Sequence, residues 1–233
     1  MKFLSQGEGE HASVASFARH SLQLMAIQAP PELLIASQIA SMDEIKHAKI
    51  CYGIASSLLR SNVGPGTIDI KNSLQSLDLE GILQSVVNEG CTGETIAAVR
   101  AQLGAHYARN PSMKDALHQI ANDESNHAQL AWNTIRWAIE RYPKVQNLVE
   151  DALNKQFEQL KIVSHGKLDN EWEQYNVPDN DLIFQDHGLL LDMDNENTEK
   201  WGLLNIINPA IKNGFADIES LRNQILSINF AKF

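Results

Sequence analysis

Two short stretches of the chain carry the same pair of chemically able side chains at the same spacing: Glu44 with His47 in DEIKH, and Glu124 with His127 in DESNH. A carboxylate and an imidazole three residues apart share one face of a helix, so both can reach the same cation. A single pair would say little. Two pairs in echoing contexts say more: PPELLIASQIASMDEIKHA (30–48) and PSMKDALHQIANDESNHA (111–128) share a Pro start, a QIA and a D-E-x-x-H-A ending.

Helical phase tells which way these pairs point. At about 100° per residue, Glu44 and His47 fall on one stripe with Leu33, Ser37, Ala40, Ala48, Cys51, Ala55 and Leu58. Glu124 and His127 fall with Met113, Leu117, Ile120, Ala128, Ala131, Ile135 and Ala138. Both pairs therefore face inward. An uncompensated buried ion costs several kcal/mol, and a divalent metal supplies the compensating charge. Each partner helix should then bring one inward carboxylate. Glu10 aligns with Val14, Phe17, Ser21 and Leu24, whereas Glu8 does not. Glu94 aligns with Leu83, Val87, Gly90, Ala98, Ala101 and Ala105. Glu89 lies roughly 140° away by the same count and would enter the set only if its helix contained a π-bulge. Glu94 and Glu124 are also nearly equidistant from the Asn110-Pro111 turn, as facing ligands must be.

The expected ligand set is therefore Glu10, Glu44, His47, Glu94, Glu124 and His127. The bland alternative, six surface salt-bridge residues on amphipathic helices, does not explain why all six share inward stripes. His11, His20, His106 and His118 read as surface or supporting groups and are lesser candidates for an additional ligand. The small residues Ala48, Ala98, Ala101, Ala128 and Ala131 leave two readings open, a substrate cavity or a close approach of helices.

The elements that must position these residues are marked off by Pro and Gly. Ala29-Pro30-Pro31 separates apolar-periodic stretches at roughly 5–28 and 31–59, and Gly64-Pro65-Gly66 follows the second. Asp78 can cap a third stretch at 79–108, and Asn110-Pro111-Ser112 turns the chain into a fourth that stops near Tyr142-Pro143. Short links within each pair and a longer one between pairs predict an all-α fold, a four-helix bundle with one crossover connection. Beyond Pro143, Val145–Val163 reads as a fifth helix, the region from His165 to Glu199 as polar and aperiodic, and the remainder as a helical tail interrupted at Pro209. Asp179–Glu199 reads as a solvated acidic loop, with a lid bearing His187 as the lesser alternative. The expected organisation is a bundle with a di-metal site over 1–143 and a C-terminal helical extension, 144–233, that packs on or covers it.

Composition narrows the partners. With 29 Asp+Glu against 19 Lys+Arg and a formal net charge of -10, the chain offers no basic footprint for nucleic acid or anionic lipid. Cys51 and Cys91 are too few for a disulfide framework, and neither belongs to a CxxC pair. The start, MKFLSQGEGEHAS, lacks the charged-then-apolar pattern of a secretory signal. No stretch approaches the eighteen or so apolar residues of a membrane span. A soluble, cytoplasmic protein is expected.

EHAS, DEIKH, GET and DESNH, in that helical order over roughly residues 5–142, resemble the ferritin-like di-iron and di-manganese carboxylate superfamily. The resemblance leaves the last ninety residues uncovered. It implies two carboxylate-bridged iron ions, or a manganese–iron pair, and dioxygen or peroxide chemistry. Departures from particular members narrow it. Where ribonucleotide reductase small subunits carry a radical Tyr, this chain has Cys51. Where soluble hydrocarbon monooxygenases have a Thr one turn past the helix-3 Glu, it has Ala98. It lacks the rubredoxin-type Cys cluster of rubrerythrins, and its tail is far longer than the short fifth helix of storage ferritins. The expected function is a non-haem di-iron oxidase or oxygenase that uses dioxygen on a small organic substrate, with room for an external electron donor, as a monomer or homodimer. The alternatives are a ferritin-like ferroxidase or storage protein, and a metal-free interaction module.

Overall fold

A computed structural model describes residues 2–71, 73, 78–163, 188–190, 192–212, 220–228 and 230. Among these described residues the chain is all-helical, with turns and irregular links and no strand. The first hairpin is α1 (Lys2–Ala26) and α2 (Pro31–Leu59). The turn between them holds Gln28 at φ 57, and the Ala29 N–H returns to the Leu24 carbonyl at 2.9 Å. Pro31 then opens α2 at a position where its missing N–H leaves no helical bond unmade. The second hairpin begins with α3 (Leu79–Ser85), passes through a π-helical segment (Val86–Glu94) and continues as α4 (Thr95–Tyr107). Its return arm is α5 (Pro111–Arg141).

The expected cap at Asp78 forms, and Asn110, expected only to turn the chain, caps the next helix as well. The Asp78 carboxylate accepts from Gly81 N at 2.8 Å, and Asn110 Oδ1 accepts from Ser112 N at 3.0 Å and Met113 N at 3.2 Å. Each satisfies backbone donors that a helix start otherwise leaves without partners.

A 3-10 turn at Pro143–Val145 leads into α6 (Gln146–Val163), matching the expected fifth helix. The tail differs from expectation in two places. Part of the presumed acidic loop is helical, as α7 (Asp192–Gly202), in which Thr198 and Lys200 are buried. Helical structure also continues past Pro209, through a π turn (Leu203–Ile207) into α8 (Asn208–Lys212). Proline lacks an N–H and its ring crowds the carbonyl four residues back. The π turn widens the backbone just there, so the chain changes its hydrogen-bond spacing where periodicity alone would end it. A last helix, α9, spans Leu221–Leu226. His165, His187 and the part of the acidic run before residue 188 lie outside the described residues.

The chain divides into two compact units, Met1–Ile82 and Leu83–Phe233. The division falls inside the third long helix, and the residues after Pro143 belong to the same unit as α4 and α5. In the first unit Ser21 Oγ donates to the Phe17 carbonyl at 3.0 Å and lies 2.9 Å from Ser37 Oγ, while Gln38 Nε2 donates to Ser21 Oγ at 2.7 Å. In the second, fully buried Trp132, Ile135, Leu153 and Ile207 form the core, each contributing about 1.5–3 kcal/mol by leaving water. Gln156 donates to Asn88 on the π-helical segment at 3.0 Å, and Arg222 of α9 donates to Asn122 of α5. Among the described residues no helix is long and apolar enough to cross a membrane.

Candidate metal centre

Each unit assembles the same trio of side chains. In the first, α2 holds Glu44 at 1% and His47 at 0% exposure, and α1 contributes Glu10. His47 Nδ1 lies 3.7 Å from Glu44 Oε2 and 3.7 Å from Glu10 Oε2. In the second, α5 holds Glu124 and His127, both buried, and Glu94 comes from the end of the π-helical segment. His127 Nδ1 lies 3.3 Å from Glu124 Oε2 and 3.9 Å from Glu94 Oε2. Within each trio, ligand atoms from the three residues lie within 4.8 Å of one another.

These separations fit a shared cation. Two atoms bound to one metal at about 2.1 Å, at angles between square and tetrahedral, stand roughly 3–3.5 Å apart, close to what is observed. The donor chemistry also fits: hard carboxylate oxygen with borderline imidazole nitrogen suits iron, manganese or zinc. Each trio carries two carboxylates, and burying such a pair without a cation is costly.

The carboxylate that the other arm of the hairpin adds to each trio is the least buried member, with Glu10 at 20% and Glu94 at 17% side-chain exposure. In both hairpins a glycine one turn earlier brings the helices together. A Cβ on Gly7 would stand 3.1 Å from the Tyr52 ring and 3.3 Å from Cys51 Cβ, and one on Gly90 would stand 2.4 Å from Ala131 Cβ. These close approaches set the distance across which Glu10 and Glu94 reach their histidines. Neither glycine was singled out by ligand spacing, although a glycine inside a helix, three or four residues before an inward Glu, is a readable signal of close backbone approach.

The conditional reading of Glu89 resolves in an unexpected way. The π-helical segment is present and spans Glu89, yet Glu89 stays exposed while Glu94 joins the trio. The wider helix instead buries Val86, Val87, Cys91 and Thr92. Thr95, directly after Glu94, is fully buried, with Trp132 Nε1 3.5 Å from its hydroxyl. At Ala131 the small side chain serves a close helix approach. Cys51 and Cys91 are both buried free thiols, and burial pushes the Cys91 thiol well up. Tyr52 is buried against Gly7, and its phenol is likewise raised, first by burial and then by Glu8 and Cys51.

Of the other histidines, His106 is exposed and tilts against Tyr107 and Phe230, and His118 is exposed. His11 and His20 are half-buried. None of these four joins a metal-competent group among the described residues. No family profile, curated protein or solved structure matches the chain.

Proposed function

We propose that each trio helps to hold one of two metal ions, which would put the chain in the class of di-metal carboxylate proteins. Within that class we read it as a non-haem di-iron oxidase or oxygenase acting on a small organic substrate. The observation that carries this is the repetition: two hairpins with echoing sequences each gather a buried Glu-x-x-His pair and one further Glu. Four carboxylates and two imidazoles suit two divalent ions, since one ion cannot use six such ligands without leaving buried charge uncompensated.

Bound iron would supply the redox chemistry with dioxygen. The chain's own residues hold and shape that chemistry. Glu44, Glu124, His47 and His127 are withdrawn from water, so they form the rigid part of the ligand set. Glu10 and Glu94 keep partial access to solvent and are the carboxylates with room to change their mode of binding. Buried apolar neighbours, among them Ala98, Ala128 and Ile135, exclude water around α4 and α5.

The test is anaerobic reconstitution with excess ferrous iron, followed by metal counting and oxygen-uptake measurement with a reductant and a panel of small organic substrates. About two irons per chain are expected, falling in His47→Ala and in His127→Ala while Glu89→Ala retains both, and oxygen uptake should respond to a substrate. A single zinc per chain in the presence of excess iron refutes the di-iron reading. Iron uptake far beyond two per chain, in a large hollow particle, would establish storage instead.

A further inference from the structure

The carboxylate that α5 does not itself supply to the second trio stands on a change of helical winding. Glu94 is the last residue of the π-helical segment and Thr95 the first of α4. At that junction the Thr95 N–H returns to the Thr92 carbonyl, a spacing shorter than that of the α-helix after it or of the π winding before it. A side chain at such a point takes its direction from the residue at which the wider winding stops. Were it to stop one residue earlier or later, Glu94 would change both its height and its direction against α5, where His127 Nδ1 waits 3.9 Å away.

Thr95 is held at the junction from two sides. Its hydroxyl accepts from Trp132 Nε1 of α5 at 3.5 Å, and its Cγ2 would stand 3.9 Å from a Cβ placed on Gly202, at the end of α7. Thr95 and Trp132 are both fully buried, so water does not compete for this bond. Gly90 meets Ala131 and Glu94 meets His127, an antiparallel register that starts Trp132 level with the residues just before Gly90. Helical side chains lean toward their own N-terminus, which carries the indole back along the last turn of the π segment to Thr95.

We propose that Thr95 is a positioning residue for the second metal ion: its bond with Trp132 fixes where the π winding ends and so aims Glu94 at the ion that Glu124 and His127 hold. The inference rests on the di-metal reading above and adds the residue that tunes one of its two sites. Glu124 and His127 lie within the continuous helix α5, so Glu94 is the member of the trio whose direction the bond can change. The first trio has no such junction, because Glu10 lies inside the uninterrupted helix α1. Loss of the bond should therefore touch one ion and spare the other.

The test titrates cobalt(II), whose visible bands report its ligand set, into the full chain and into Thr95→Ser, Thr95→Val and Asn110→Ala, with urea unfolding of each. Thr95→Ser keeps the hydroxyl, whereas Thr95→Val keeps the shape and takes the acceptor from a buried donor. Asn110→Ala weakens a helix cap away from the junction and controls for lost stability. Wild type and Thr95→Ser should bind two cobalt ions alike. Thr95→Val should bind one of them about tenfold more weakly, with shifted bands, and the other unchanged. Should Thr95→Val fail to fold, Trp132→Phe removes the donor from the opposite side and must give the same loss at one site. Two ions held by the wild type and equally well by Thr95→Val, or by Trp132→Phe in its place, overturn this inference and leave the di-metal reading standing. A Thr95→Ser that behaves as Thr95→Val, or an Asn110→Ala with the same loss at one site, also overturns it. A wild type that binds fewer than two cobalt ions overturns both.

Discussion

Gly90→Ala should damage the second hairpin because of one distance. The new Cβ would stand 2.4 Å from Ala131 Cβ, and that atom is fixed to the α5 backbone and cannot rotate away. Relief needs more than 1 Å of separation between the π-helical segment and α5, which overpacking costs of about 1–3 kcal/mol describe. Against this stands a gain of about 1 kcal/mol from replacing a helical Gly by Ala. The net loss is then about 0–2 kcal/mol, up to several degrees in melting temperature for a chain of this size. The more telling quantity is the coupling with Ala131→Gly. If the two positions touch, the double variant should recover about 1–3 kcal/mol relative to the sum of the singles. The same displacement acts on Glu94, one turn further on and 3.9 Å from His127 Nδ1, so metal affinity should fall in Gly90→Ala and return in the double variant. Urea unfolding of the four proteins, with metal titration of each, supplies both readouts. Additive stabilities together with unchanged metal affinity would show that Gly90 does not set the approach of Glu94 to α5.

Two further outcomes follow from single residues. Asn110→Ala removes the side chain that caps α5 through Ser112 N and Met113 N; it should cost about 0.5–2 kcal/mol in chemical denaturation without changing metal content, whereas an unchanged midpoint would deny the cap. His20 is held down to about 4, first by burial and then by Arg19, so in the folded chain it stays neutral at pH values where the unfolded chain binds a proton. That sign makes His20 neutral in effect above its ordinary value of 6.5 and a source of instability as pH falls from there toward 4. Comparing urea stabilities at pH 7 and near pH 4.5, the wild type should lose up to about 2 kcal/mol more than His20→Gln, and equal losses would refute the role of His20.

Much of the site was legible because its chemistry is local. A Glu and a His three residues apart meet on any α-helix, whatever surrounds it, so Glu44 with His47 and Glu124 with His127 could be paired by counting. Helix limits followed from Pro30-Pro31, Asp78 and Asn110-Pro111, whose effects act on adjacent backbone groups. The third helix was another matter. Uniform α-helical counting cannot reveal that Val86–Glu94 winds more widely, because a π segment trades poorer local geometry for a packing gain visible only across helices. Phase alone therefore favoured Glu94 and kept Glu89 in reserve should such a segment exist; the segment exists, and Glu89 still faces water.

Along the tail the balance shifted further. Acidic composition pointed to a solvated loop, yet Asp192–Gly202 is helical and Arg100 of α4 faces Glu199 at 3.9 Å. Packing on α4 outweighs weak local propensity there, as tertiary context does wherever a segment is neither strongly periodic nor strongly capped. The exposure of Ile35, Ile39 and Met42 on α2 is likewise set by tertiary structure. Ile35, Ile39 and Met42 are chemically like the residues that fill a core, and the sequence by itself determines that α2 has apolar side chains nearly all round. Only the tertiary structure decides which of them lose their water and which are left facing it, because burial is a property of what arrives from elsewhere in the chain.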